Sequence, residues 1–386
     1  MSSRGHPIWT GQKVERPVKG LPETRPARER VYEALKPGSA TRPELAGRSG
    51  LSVPTVIAAV DDLIGAGLAA LEDSALPGGR GRPAARVRLT PERFTVAALD
   101  LGGPQVTGGC YDLHGRRLGF TEHGPPMRHF TQDAEHNAAL LLGWLRAQGP
   151  ADLSVVSVLG AVNPVTRTLT SLPLALRDRP LEAELTAALG WPVLVENDAN
   201  LSAWHAWQVL KLTADEPLVF LNYSYGIGLG MVLGGRVYHG ATGAAGEVSS
   251  AADPGRRGRH DLLAARLLRH LHAALPGSTT AEVAALAAGG DAAARRALRA
   301  FNADLSNHLT AVAAVLDPSV MVLQDVPHTT EPLRREVEGA LAALDLHPGV
   351  QVSPLGPQGG LDSAGVYGAT WLERTRLTGG METVTR

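Results

Sequence analysis

The pattern of apolar and polar positions divides the 386-residue chain into three stretches. Residues 1–27 mix proline, glycine and charge without a period, which predicts a mobile arm. From 28 to 90 the apolar positions recur at helical spacing. Val31, Ala34 and Leu35 share one face of "ARERVYEALKPG", which stops at Pro-Gly. In "TRPELAGRSG", Thr41 is placed to cap, Pro43 suits a first turn and Glu44 meets the helix dipole. Leu45 and Ala46 are expected to face inward and Gly50 to close the helix. "LSVPTVIAAVDDLIGAGL" follows, with Ser52 as its cap and Val56, Ala59, Val60 and Leu63 as its apolar stripe. Two helices joined by the tight turn "SGLS" predict a helix-turn-helix. The alternation at the end of "GGRGRPAARVRL" predicts a β-wing after it.

From residue 91 strands and helices are expected in turn. "FTVAALDLGG" reads as a strand ending in Asp-Leu-Gly-Gly, and "VTGGCYDLHGRRLGF" as a hairpin turning at His114-Gly115. "LSVVSVLGAVNP" is a strand with a Gly/Asn/Pro turn. "PVLVENDANLSAWHAWQVL" is strand, turn and helix. "PLVFLNYSYGIGLGMVLGGRVYHG" is strand, glycine turn, strand and hairpin. Helices are expected at "HDLLAARLLRHLHAAL", "ADLSNHLTAVAAVLD" and "SAGVYGATWLERT", and a strand at "SVMVLQD". Two βββαβα-like halves with facing glycine turns predict an α/β actin-like ATPase fold of two lobes over 91–386. Its last helix is expected to pack back on the first lobe, behind an α+β winged helix-turn-helix at 28–90.

Charge sharpens this division. Residues 1–90 carry 14 Lys and Arg against 9 Asp and Glu, a balance of +5; the remainder is at −6. A basic front on an acidic body points to a polyanion partner, with chance clustering as the alternative. Duplex DNA fits the helix-turn-helix. Ser52, Val53, Thr55 and Val56 stand at the start of the second helix, where base edges are reached. The two valines lack hydrogen-bonding groups, so contact there would be with thymine methyls, and Val56 serves equally well as core. Arg42 opens the preceding helix. Arg80 and Arg82 form a Gly-Arg-Gly-Arg tip, where glycine removes bulk and guanidinium matches phosphate. Arg86 and Arg88 follow. No apolar run approaches the roughly 20 residues of a membrane helix, and the N-terminus lacks a signal-peptide core. A cytoplasmic protein without a membrane partner is expected. Cys110 is the only cysteine, which excludes an internal disulfide and a multi-cysteine metal site.

"VENDAN" holds the candidate chemistry. It sets Asp198 between Asn197 and Asn200 at the end of an apolar strand, a place suited to a general base or to a ligand's hydroxyls. Alternatively, Asp198 and Asn200 are caps of the helix that follows. Trp204 and Trp207, at i and i+3, suit a core or subunit interface better than a sugar platform.

In order and spacing, "DLGG", "VENDAN", "GIGLG" and "GATGAAGE" resemble the ROK family (repressor, open reading frame, kinase). The front "TRPELAGRSGLSVPTVIAAVDDLIGAGL" followed by "GGRGRP" is similar to its regulator form, and the likeness covers about residues 28–375. The resemblance implies that Asp198 occupies the kinases' general-base position, with Asn197 and Glu247 at sugar-contacting positions. It also exposes departures. Ser250 stands where the kinases carry a histidine that binds sugar and zinc. Aligned on Gly255 and Gly258, the zinc-loop cysteines fall on Ala252, Pro254 and Arg259, and a sugar-binding glutamate on Asp261. No zinc ligand set remains. On the nucleotide side Pro104 and Gln105 follow "DLGG", Tyr225 replaces a threonine, and Gln324 and Asp325 replace glycines. Proline removes a backbone donor that phosphate would use.

The expectation is therefore a DNA-binding regulator, a repressor, with no catalytic residue, metal or cofactor and with Asp198 vestigial. Its sugar-type effector would lie among Asn197, Asp198, Glu247, Ser250 and Asp261. It would act as a homodimer or homotetramer on a palindromic operator. A sugar kinase with an accessory DNA-binding domain and an effector-blind regulator stay open as alternatives.

Overall fold

The computed structural model describes residues 26–72, 85–103, 105–125, 128–223, 226–247, 263–356 and 358–379. The chain divides after Thr90 into two compact units. The first contains α1 (Ala27–Leu35), β1 (Ala40–Thr41), α2 (Arg42–Ser49), α3 (Val53–Gly65), β2 (Ala69–Leu71) and β3 (Arg86–Leu89). The strands form an antiparallel sheet in the order β1-β3-β2.

Local chemistry sets the ends of these helices. Thr41 and Glu44 form a reciprocal capping box on α2, which closes at Gly50 in the left-handed region. Ser52 caps α3 by accepting from the Thr55 N–H at 3.3 Å. Val31, Leu35, Leu45, Val56, Val60 and Leu63 make the core. Ala46 is only half-buried; Ser49 takes the second inward place on α2, its hydroxyl donating to the Leu45 carbonyl at 2.6 Å. Arg86 ties the sheet to the helices. Its Nε donates to Ser39 Oγ at 3.2 Å, and it pairs with Glu44 at 3.4 Å.

The second unit begins with β4 (Val96–Asp100), β5 (Val106–Tyr111), β6 (Arg117–Gly124), α4 (Ala134–Ala147) and β7 (Leu153–Val158). It continues through β8 (Ala161–Val162), β9 (Leu169–Ser171), β10 (Leu176–Arg179), α5 (Leu181–Leu189), β11 (Val193–Asn197) and α6 (Asp198–Val209). The second half holds β12 (Leu218–Asn222), β13 (Gly228–Leu233), β14 (Arg236–Val237), α7 (Leu263–His272), α8 (Thr280–Ala288) and α9 (Ala292–Leu316). Then come β15 (Val320–Leu323), α10 (Thr330–Ala342), β16 (Gly349–Val352) and α11 (Gly359–Thr378).

The two halves repeat one topology. The first sheet runs β11-β7-β4-β5-β6 and the second β14-β13-β12-β15-β16. In each, the first strand pairs antiparallel with the second and parallel with the fourth. A small sheet of β8, β9 and β10 hangs on the first lobe. These two short strands, β9 and β10, and the edge strand β16 were not expected from the sequence, because three or four residues show no period.

Each sheet is covered on both faces. In β4, Leu99 points toward α4 and α5, into a core with Leu141, Leu145, Leu181 and Leu185. Val96, on the other face, points toward α11. In β12, Val219 and Leu221 face the α7–α10 layer, whereas Leu218 and Phe220 face α6. The inner faces of both sheets thus meet one helix pair, α6 and α11, which touch at Trp204–Tyr367 and at His205–Ser363. Trp204 and Trp207 pack against the α6-side core.

The fit of α11 on its sheet leaves no spare volume. A Cβ on Gly368 would lie 2.6 Å from Val155 Cγ2 and 2.7 Å from Val96 Cγ1. Gly368→Ala should therefore lower the melting temperature, since overpacking costs about 1–3 kcal/mol against the roughly 1 kcal/mol that alanine contributes to a helix. Gly339 in α10 has open space around it, and Gly339→Ala should raise the melting temperature in the same assay.

Candidate functional site

Strand alternation delivers polar groups to one place. β4 reads V-A-A-L-D and β12 reads L-V-F-L-N, so each ends with a polar residue on the face turned to the α6/α11 pair. Register sets Asp100 beside Ser157, whose hydroxyl donates to Asp100 Oδ1 at 2.6 Å. The Gly102 N–H donates to the same oxygen at 3.2 Å. β11 ends at Asn197, and Asp198 opens α6. Asn222 Nδ2, from the second lobe, donates to Asp198 Oδ2 at 2.6 Å. Gly102 permits this approach: a Cβ there would lie 2.6 Å from Asp198 Oδ2.

Asn197 is the hinge of the arrangement. Its Oδ1 accepts from the Asn200 N–H at 2.9 Å, which makes it the cap of α6. This corrects the expectation that Asp198 or Asn200 is the cap: Asp198 already has helical geometry as the first residue of α6. Asn197 Nδ2 donates to the Gly160 carbonyl at 3.1 Å and to Glu247 Oε1 at 2.6 Å. Glu247 reaches that point because "GATGAAGE" runs directly against two strands. Gly243 and Gly246 have φ of +82° and +81°, and a side chain on either would overlap the carbonyl of Val162 or of Leu229.

Behind these groups Glu196 is buried. It accepts from the Asn197 N–H at 2.9 Å and pairs with His239 Nε2 at 2.9 Å. Burial would push the Glu196 carboxyl up; the His239 hydrogen bond and charge, with Arg167, outweigh burial and hold it below its usual range. For Asp198 the balance goes the other way. Burial first, then the charges of Asp100 and Glu247, raise its pKa well above the ordinary carboxylate value. Asp100 is also raised, by burial.

The structure thus brings Asn197, Asp198 and Glu247 together. Ser250 and Asp261 lie outside the described residues, as do Pro104 and Tyr225. Asn222 was not singled out from the sequence; its signal was its place as the polar terminus of β12, matching Asp100 in β4. Among the described residues no group of three or more His, Cys, Asp or Glu could hold a metal ion. No described helix is long and apolar enough to cross a membrane.

On the front unit, Ser52 and Thr55 are exposed and share a hydroxyl contact of 2.7 Å. Val53 is 42% exposed, whereas Val56 is fully buried in the core and so leaves the set that could touch a base. Ile57, 41% exposed, stands on the outer face instead. It is the residue after a core position, a signal overlooked in following the apolar stripe. Arg42 turns toward α3, 3.8 Å from Asp61. Arg80 and Arg82 lie outside the described residues.

The ROK family model matches residues 96–376. A bifunctional NanE/NanK enzyme of Brucella melitensis biotype 1 is 31% identical over 244 residues, 61% of this chain; the match spans 46% of that enzyme, less than half its length. The xylose repressor of Bacillus subtilis strain 168 is 22% identical over 314 residues, 76% of this chain and 80% of the repressor. A crystal structure of a ROK family transcriptional regulator, a homologue of the E. coli MLC protein, superposes with a TM-score of 0.67 at 20% identity. It covers 92% of this chain and 99% of that one.

The raised carboxyl of Asp198 has a measurable sign. An acid whose folded pKa exceeds its unfolded pKa keeps a proton in the fold that the unfolded chain has lost. Stability then falls as pH rises from the unfolded value toward the folded one. Asp198→Asn retains an oxygen for Asn222 and carries no charge. Its melting temperature should exceed that of the parent, with a gap that widens from about pH 4 toward neutrality. Identical curves across that range would mean that the carboxylate ionises there at no cost.

Proposed function

The chain belongs to the ROK family, and from that premise we propose that it is a DNA-binding transcriptional regulator, a repressor, with a ligand-sensing body. The observation that carries this reading is the front unit. Its α3 starts at an exposed Ser52 cap and presents Val53, Thr55 and Ile57 outward from a three-helix core backed by an antiparallel sheet. These features support a winged helix-turn-helix, in which the start of the second helix enters the major groove. The repressor and regulator relatives support it, and they match across more of this chain than the family's own domain. In this reading Val53 and Ile57 contact thymine methyls, Thr55 and Ser52 reach polar edges or phosphate, and Arg42, Arg80 and Arg82 neutralise backbone. The protein works as a symmetric dimer on a palindrome.

In the body, Asn197, Asp198 and Glu247 hold a sugar-type effector, joined by Ser250 and Asp261. Effector binding shifts lobe closure and with it the paired front units. The kinase reading keeps one observation in its favour: Asp198 sits with Asn197 and Glu247 at the lobe junction. Against it stand the departures in the nucleotide motifs, with Pro104 and Gln105 after "DLGG" and Gln324 and Asp325 where the kinases carry glycines.

Selection of bound sequences from random duplexes tests the proposal. Enrichment of a palindrome, with log affinity falling steeply against log salt, is expected. Replacing thymine by uracil at the bases facing α3 should weaken binding. Sugars that release the protein should fail to release Asp198→Asn or Glu247→Gln variants that still bind the duplex. Absence of any enriched sequence, or ATP-dependent sugar phosphorylation abolished by Asp198→Asn, would replace this reading by the kinase one.

A further inference from the structure

A cavity of about 550 Å³ opens between the two lobes of the body, with Asp198 on its wall. Its volume suits a small molecule. Its chemistry is lopsided. Asp100, Glu122, Asp198 and Asp325 line it, and no Lys, Arg or His does so among the described residues. A cluster of acids alone would say little, but two residues on the cavity wall carry acceptors that lack donors. Asn222 is 8% exposed; its Nδ2 donates to Asp198, and its Oδ1 is buried without a hydrogen-bond partner. Gln105 Oε1 is likewise buried and unpartnered. Buried polar groups are normally satisfied, so an orphan acceptor on a cavity wall calls for a donor from the occupant.

A helix N-terminus that could attract an anion is already taken. The first turn of α11, at Gly359 and Gly360, lines the cavity and offers the positive end of a helix. The Asp100 carboxylate lies directly over it: a side chain at Gly360 would overlap Asp100 Oδ2. A phosphate arriving there would meet a resident carboxylate instead of free N–H groups. Phe220, Val326 and Leu355 supply an apolar wall for the carbon frame of a ligand.

We propose that this cleft binds a small molecule bearing a protonated amine, in place of the nucleotide that the kinase relatives' chemistry requires. An ammonium brings three donors and a positive charge to a site that has acceptors and negative charge in excess. Asn222 Oδ1 and the Asp100 and Asp325 carboxylates hold the amine, and the ligand bridges the two lobes. The inference rests on the body being a ligand-sensing domain, and it deepens that reading by naming the ligand's chemistry. Binding is measured without DNA, so failure here leaves the operator result standing, and the reverse.

The test is calorimetric titration of the full chain with matched probes: glucosamine against glucose, 1,4-diaminobutane against 1,4-butanediol, and magnesium ATP. At least one amine should bind tenfold or more tightly than its uncharged twin, and more tightly than ATP. Asp325 is exposed at the rim, so Asp325→Asn should keep the parent melting temperature and weaken the amine several-fold. Asn222→Leu, close in size but without the acceptor, should weaken it further. Amines that bind no better than their twins, ATP that binds more tightly, or amine affinity untouched by Asp325→Asn would each overturn the proposal.

Discussion

Two sheets share one pair of helices, and most of the body follows from that constraint. α6 packs on the inner face of the second sheet and α11 on the inner face of the first, and the helices touch each other along a seam. Close approach of each helix to its sheet demands small residues on the face between them. Gly365 and Gly368 of α11 lie against Tyr111, Val96 and Val155, and Ala203 and Ala206 of α6 pack with Leu218 and Phe220. Bulkier residues there would push the sheets apart, and the strand ends would no longer converge. The polar termini of β4 and β12 meet only because this layer is thin.

That convergence concentrates acids where water is scarce. Asp100, Asp198 and Glu247 approach one another within a buried junction, and the fold accepts the electrostatic cost. Groups placed for stability alone would be arranged otherwise. Sites that bind or react are where proteins tolerate such conflict. The Glu196–His239 pair, by contrast, is well matched and serves as support: it braces the backbone of Asn197 from behind.

Much of this was legible in the sequence because the signals are local. The caps of α2 and α3 depend on residues three apart, and the structure forms them at Thr41–Glu44 and Ser52–Thr55. The long buried strands carry continuous apolar runs, and "VENDAN" announces a strand-to-helix turn by its amides and acid. Less could be read where tertiary partners decide. Asn197 is the cap, and not Asp198, because β11 stays extended one residue longer to keep its pairing with Val158. Asn222 acquires a role only when a residue 24 positions earlier arrives from the other lobe. Val56 and Ile57 are adjacent and chemically alike, and only the three-helix packing tells which one reaches solvent. The β8–β10 sheet depends on pairings that no short segment encodes by itself.

The duplicated strand order has a mechanical corollary. α6 leaves the first lobe at the end of β11, yet its body is fastened to the second sheet through Ala203, Ala206 and Phe220. The Asn197–Asp198 peptide is therefore the fulcrum of a lever whose long arm belongs to one lobe and whose anchor belongs to the other. The residue that caps the helix also grips Glu247, so a displacement at Asn197 reaches the start of the helix and the Glu247 loop together.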